Sequence, residues 1–417
     1  MTTKMMTQQV ARRWWMSAPI AAALALAGCQ GFFDVVNPGP LSDEELNVPA
    51  AVQGVVTGMS ADFSVMFDYI VPVTGIASDE INHGGSYTAE GLWVRGIFRP
   101  EDVNGQWANM QRSRWVAEQG IERMKKVSGY SFDTNVLSAR AFLWAGLSNR
   151  TLGEVACDAV FDNGPKQANS VYFSRAEAQF TEAIRIGAAV GGTAGTAVVN
   201  AAYGGRAAAK AALGKWSDAV VDAQRVPTSF VWNATYSTNS SRENNEFVSE
   251  TWVRREFSVW GTQWANVFRD PRVPWDTIKT SSGAVQKGQD GRTNYFRQRK
   301  FTDLGAEMPL VKGTEMLMIR AEERLRANDV PGAYTHLNAA RTFYGMTALA
   351  PATTLADAWK VFKTERGATL WLEGRRWFDL RRWNAETGPM NDTFLANRAK
   401  CMPISQNESD ANPNLRP

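Results

Sequence analysis

Sixteen tryptophans, nine tyrosines and twenty phenylalanines in 417 residues are the side chains whose chemistry stands out. A flat apolar ring is the surface on which the face of a pyranose stacks, while neighbouring amides and acids take up its hydroxyls. Position decides which rings are available. Trp107, Trp115, Trp144, Trp359 and Trp371 recur at helical spacing among apolar residues, so they are expected in the core. Tyr87 and Trp93, and further on Trp260, Trp264, Trp275, Tyr295 and Phe296, fall in stretches without that period. These are the candidate ligand-contacting rings.

Other chemistries find little support. His83 and His336 are the only histidines, and there is no Cys-x-x-Cys pair, so no metal site is expected. The phosphate-binding loop, the glycine-rich dinucleotide turn and the nucleophile elbow of the hydrolases are all missing, so neither a cofactor nor enzymatic activity is expected. His336 lies in a helical pattern beside Leu337 and Ala340 and reads as a packing or surface residue. His83 sits in Asp79-Glu80-Ile81-Asn82-His83-Gly84-Gly85, a polar stretch with Tyr87 close behind, and is harder to assign to packing. A glycoside hydrolase would need two carboxyl groups about 5 to 10 Å apart across a cleft, a distance that chain order does not measure.

The first 28 residues differ from the rest. Lys4, Arg12 and Arg13 precede an apolar stretch from about Met16 to Ala27, which is the layout of a signal peptide. That stretch is short for a membrane span, which takes about 20 apolar residues. It closes on Leu26-Ala27-Gly28-Cys29, which resembles the lipobox where a diacylglyceryl cysteine becomes the new N-terminus. Acyl chains on Cys29 would hold the protein at a bilayer at about 0.8 kcal/mol per buried methylene. Without residues 1–28 the formal count of basic against acidic residues falls from 45 against 42 to 42 against 42. A near-neutral chain without a basic run lacks the footprint of nucleic-acid binding. With Cys29 lipidated, Cys157 and Cys401 remain in an oxidising compartment, where pairing is expected and two separate buried thiols are the alternative.

These residues need elements to hold them. Residues 30–42, with Asn37-Pro38-Gly39-Pro40, read as a tether, and 43–417 as one domain in which helices dominate. The 3.6 period predicts helices over 106–127 and 135–152, then 174–188 and 198–226 with a break at Leu213-Gly214-Lys215-Trp216, then 314–327 and 333–344. Small residues at Ala207, Ala208, Ala211, Ala219 and Ala223 around a Leu-Gly turn resemble the tetratricopeptide pattern, which implies an array of helix pairs. Residues 62–105 and 228–312 are rich in Gly, Ser, Asn, Pro and aromatics and are expected as long structured loops with short strands.

The most distinctive run is Glu365-Arg366-Gly367-Ala368-Thr369-Leu370-Trp371-Leu372-Glu373-Gly374-Arg375-Arg376-Trp377-Phe378-Asp379-Leu380-Arg381-Arg382-Trp383. It resembles the signature of the SusD/RagB family. Met316 to Glu322, Asn338 and Arg341, Pro403-Ile404, Asn412-Pro413 and the early Phe33-Asp34-Val35-Val36-Asn37-Pro38 fit the same family in the same order. Within the run, Leu370, Trp371, Phe378 and Trp383 are expected to share a helical face, with Glu365, Arg366, Glu373, Arg375 and Asp379 supplying ion pairs around it, which makes the run scaffold.

The resemblance implies a mostly α fold: tetratricopeptide-like helix pairs with irregular loops and a few short strands, the loops forming an outward-facing ligand site. It implies capture of a nutrient, foremost an oligosaccharide and in some relatives a peptide-like one, for a TonB-dependent barrel transporter of the SusC/RagA type at the outer membrane. Relatives tend to place a Ser-Asp step near the ligand, and Ser78-Asp79 matches it, which adds Asp79 to the candidates.

Overall fold

The computed structural model describes residues 45–266 and 270–416. The signal-like segment, Cys29 and the tether up to Ser42 lie outside them. Residues Asn47–Pro417 make one compact unit. Among the described residues no helix is long and apolar enough to cross a membrane.

The chain opens with α1, Val52–Ala77, whose residues Val56, Met59, Phe63, Phe67, Ile70 and Val71 are all buried. The expected loop from residue 62 therefore starts only after Ala77. Pro72, Thr74 and Gly75 read as helix breakers, but burial of most of this helix outweighs their low propensity. A short α2, Thr88–Trp93, follows.

Next come α3, Asn104–Lys126, and α4, Val136–Val155, which pack on each other and on α1. Asn135 caps α4 by accepting a hydrogen bond from the Leu137 amide. Helices α5, Ser170–Val190, and α6, Gly192–Ala212, form the next pair, with α7, Trp216–Ala223, folded back beyond the anticipated break. The last pair is α8, Gly313–Arg326, and α9, Val330–Phe343, joined by a turn in which Asp329 accepts from the Gly332 amide. The helix pairs match the periodicity because their apolar stripes have only each other to bury against.

The signature run is not one helix. It divides into α10, Leu355–Thr369, and α11, Arg376–Asn384, with α12, Gln406–Ala411, near the end of the chain. Between α10 and α11 the backbone turns through positive φ at Leu372 and at Gly374. Most of its charged side chains are buried and paired. Arg366 donates to Asp379 at 2.7 Å, Arg375 to Glu154 at 2.6 Å, and Glu373 receives Lys300 and Lys312 at 2.5 and 2.6 Å. Glu322 receives Arg382 and Arg326. Buried charges persist only when compensated in this way.

The strands are short and form two-stranded antiparallel pairs. They are β1, Asn82–His83; β2, Asp158–Ala159; β3, Gln167–Ala168; β4, Val231–Ala234; β5, Phe257–Ser258; β6, Trp275–Thr277; β7, Phe296–Gln298; and β8, Met308–Lys312. β1 pairs with β5, β2 with β3, β4 with β8 and β6 with β7. Cys157 and Cys401 form a disulfide with their Cα atoms 5.0 Å apart, next to a bridge between Ala156 and Met402.

Candidate functional site

A cleft of about 280 Å³ opens where α1, α2 and the β1–β5 pair meet. Asp68, Tyr69, Pro72 and Val73 of α1 form one wall, Tyr87, Glu90 and Trp93 a second, and Glu246, Glu250 and Phe257 a third. Asp68, Tyr69 and Glu246 also border a neighbouring depression of about 200 Å³ that contains Arg112 and Arg242, so the concave surface continues along α1. Tyr69 and Tyr87 are 44 and 37 % exposed there.

The cleft is acidic. Burial, with the charges of Glu250 and Glu256 behind it, pushes the Glu90 carboxyl up to about 8. Glu250 is pushed up to about 7, chiefly by burial, against the opposing pull of Arg254. Burial also holds Asp68 well above the usual carboxylate range, although one of its oxygens accepts from the Glu246 amide at 3.0 Å. Burial and Glu250 raise the Tyr87 phenol to about 12. The Arg254 guanidinium lies 4.9 Å from the Tyr87 ring centre and 3.2 Å from Glu250. Such a surface offers ring faces for stacking and carboxyl groups that both donate and accept hydrogen bonds.

Of the candidates from the sequence, Tyr87 and Trp93 line this cleft, though Trp93 is buried and stacks on Phe98 with ring centres 5.5 Å apart. Trp260 is 39 % exposed on the turn after β5, where its carbonyl receives the Asn82 amide. Trp275 lies elsewhere, half buried on Phe296 and bordering an open depression of about 420 Å³ with Asp270, Asp276 and Arg299. Three candidates are corrected. Trp264 and Tyr295 are fully buried, the latter donating its hydroxyl to the Thr251 carbonyl, so they support the loop from inside. Asp79 is engaged by Arg376 and Gln263 and acts as a fastening of the scaffold. Conversely Trp115, expected in the core, is 51 % exposed on α3.

Tyr69, Asp68, Glu90, Glu246 and Glu250 escaped the sequence reading. Tyr69 lies in the stretch from residue 62 that carried no helical reading, and the acids gather from segments more than 150 residues apart. The one local signal is Glu246 and Glu250, spaced to share a helix face.

The SusD family model matches residues 232–401. Comparison with curated protein sequences finds no significant match. Among solved structures, a SusD-like protein from Bacteroides fragilis NCTC 9343 superposes with a TM-score of 0.67 at 13% identity, covering 90% of this chain and 98% of that one. A SusD superfamily protein from Bacteroides thetaiotaomicron VPI-5482 gives 0.66 at 15% identity over 88% and 97% of the two chains. A laminarin-binding SusD-like protein gives 0.57 at 14% identity over 87% and 99%. With the signature run folded as the charge-paired centre of this helical scaffold, the chain has the SusD-like fold, and its residues 232–401 match the SusD family.

Proposed function

We propose that this protein is a cell-surface receptor that holds an oligosaccharide in the cleft between Tyr69 and Tyr87 and passes it to a TonB-dependent barrel transporter of the SusC/RagA type. The observation that carries the reading is the pairing of two exposed rings with Asp68, Glu90, Glu246 and Glu250 around one cleft. Rings take the apolar face of a sugar and acids its hydroxyls, so binding is reversible and breaks no covalent bond. The match of residues 232–401 to the SusD family supports this, as does the likeness in fold to a laminarin-binding SusD-like protein. In this reading residues 1–28 direct export, Cys29 carries the lipid, and 29–42 tether the domain 43–417 to the membrane.

Titration calorimetry of the protein and its Tyr69→Ala/Tyr87→Ala double variant against a panel of oligosaccharides tests the reading. Binding of at least one glycan, lost in the double variant at unchanged thermal stability, is expected. Failure of every glycan, with binding of peptides instead, moves the ligand class. A hydrolase reading draws on Glu90, whose carboxyl holds its proton near neutral pH as a general acid must. Release of reducing ends from a bound polysaccharide would establish that reading and displace ours.

A further inference from the structure

Beside the aromatic cleft, two side chains from one segment and a third from a distant part of the chain turn inward on one point. The β1–β5 pair sets His83 opposite Phe257, which brings the preceding Glu256 to the same place, and Glu90 arrives from α2. One ligand-capable atom from each of His83, Glu90 and Glu256 lies within 4.8 Å of the others. His83 Nε2 and Glu90 Oε2 are 3.6 Å apart, and both are buried without a hydrogen-bond partner. Two such atoms facing each other unsatisfied is costly unless something sits between them.

We propose that His83, Glu90 and Glu256 bind a divalent transition-metal ion of the Zn²⁺ class. Ligand atoms about 2.1 Å from a tetrahedral ion stand about 3.4 Å apart, close to the observed separation of the histidine and Glu90 atoms. An imidazole nitrogen with two carboxylates favours Zn²⁺ over Ca²⁺ or Mg²⁺, which prefer all-oxygen shells. Glu256 is prepared for the role: its carboxylate accepts from the Ser86 amide at 2.7 Å and the Ser86 hydroxyl at 3.3 Å, the kind of outer support that orients a metal ligand. Gly85 makes room for it, since a Cβ there would lie 1.8 Å from Glu256 Oε2. Arg254, 3.3 Å from the other oxygen of Glu256, is the cation that balances the acids without the metal. Glu90 also lines the cleft, so the remaining coordination positions fall on the cleft side, open to water or a ligand oxygen.

The proposal stands apart from sugar capture, because metal binding is read directly. The full chain, stripped with a chelator, is titrated with ZnCl2 by calorimetry and with Co²⁺ by absorption, alongside His83→Ala, Glu90→Gln and His336→Ala. One equivalent of Zn²⁺ is expected, with affinity falling on the order of 100-fold in His83→Ala and Glu90→Gln, given that even supporting residues of metal sites contribute 10- to 100-fold. His336→Ala leaves it unchanged. Glu90→Gln keeps the side-chain shape, so it decides the matter if His83→Ala does not fold. Absence of saturable Zn²⁺ binding, equal binding by the Glu90→Gln variant, or a site that takes Ca²⁺ in preference to Zn²⁺ overturns the proposal.

Discussion

Asp79 and Arg376, 297 residues apart, meet in a two-point ion pair in which Nε and Nη2 of the arginine donate to the two carboxylate oxygens at 2.8 and 2.9 Å. The pair ties the segment after α1 to the first residue of α11, and Gln263 adds its amide to the same carboxylate. A residue that the family resemblance suggested as a ligand contact is thereby a clasp between two distant parts of the chain.

Asp79→Ala leaves the buried Arg376 guanidinium without its counter-ion. Breaking one side of a buried pair costs about 3 to 5 kcal/mol, so the urea midpoint is expected to drop clearly while the folded fraction still binds glycan. An unchanged midpoint with lost binding would return Asp79 to the ligand site.

Tyr87→Ala and Trp264→Ala separate surface from support. Loss of one stacking ring is worth about 1 kcal/mol, so Tyr87→Ala is expected to weaken glycan binding about five- to tenfold with little effect on melting. Trp264 is fully buried against Gly367, and its truncation is expected to lower stability by about 3 to 5 kcal/mol. Calorimetry and denaturant unfolding of both variants measure the contrast; reversed effects would show that the exposed ring is not the working one.

Glu80 gives a pH signature. Burial pushes its carboxyl from the ordinary 4.5 up to about 8, while one oxygen accepts from the Leu372 amide at 2.8 Å and the other has no partner. The folded state then binds the proton more tightly than the unfolded one, so this group's contribution to stability falls as pH rises from 4.5 to about 8 and stays low above that. Glu80→Gln is expected to match the parent at acidic pH and to exceed it above pH 8 by a few kcal/mol. Parallel stability curves for the two proteins would contradict the assignment.

The Cys157–Cys401 bridge closes a loop of 244 residues. Loop-closure entropy sets its contribution at no more than about 4 to 5 kcal/mol, so Cys157→Ser/Cys401→Ser is expected to fold but to melt markedly lower, and a reducing agent to lower the parent's melting temperature to the same degree. Equal melting temperatures with and without reductant would show that the bridge adds nothing.

The helix pairs were legible because each repeats an apolar stripe over several turns, as between Asn104 and Val155 or between Gly313 and Phe343. The charged partners in the signature run were legible as scaffold for a similar reason, since Glu365, Arg366 and Asp379 lie among large apolar residues. What the sequence could not show is which way a ring in an aperiodic stretch points. Trp264 and Tyr295 face inward and Tyr87 outward, and nothing in their neighbours separates them, because orientation there follows from tertiary contacts such as those of Trp264 with Gly367 and of Tyr295 with Thr251. The same holds for His83, Glu90 and Glu256, whose meeting depends on the β1–β5 register.

Trp371 donates its indole N–H to the Glu80 carbonyl, 291 positions earlier, and Leu372 packs against Gly75 of α1. Such contacts join residues nearly 300 positions apart at the centre of this mostly helical molecule. Neighbouring helices can zip up early and quickly, and α3 and α4 cover much of Val52–Ala77, but its C-terminal end near Gly75 stays uncovered until Trp371 and Leu372 arrive. The slow step in folding is then that late closure, and a chaperone guarding the first helix would be released only when it is complete.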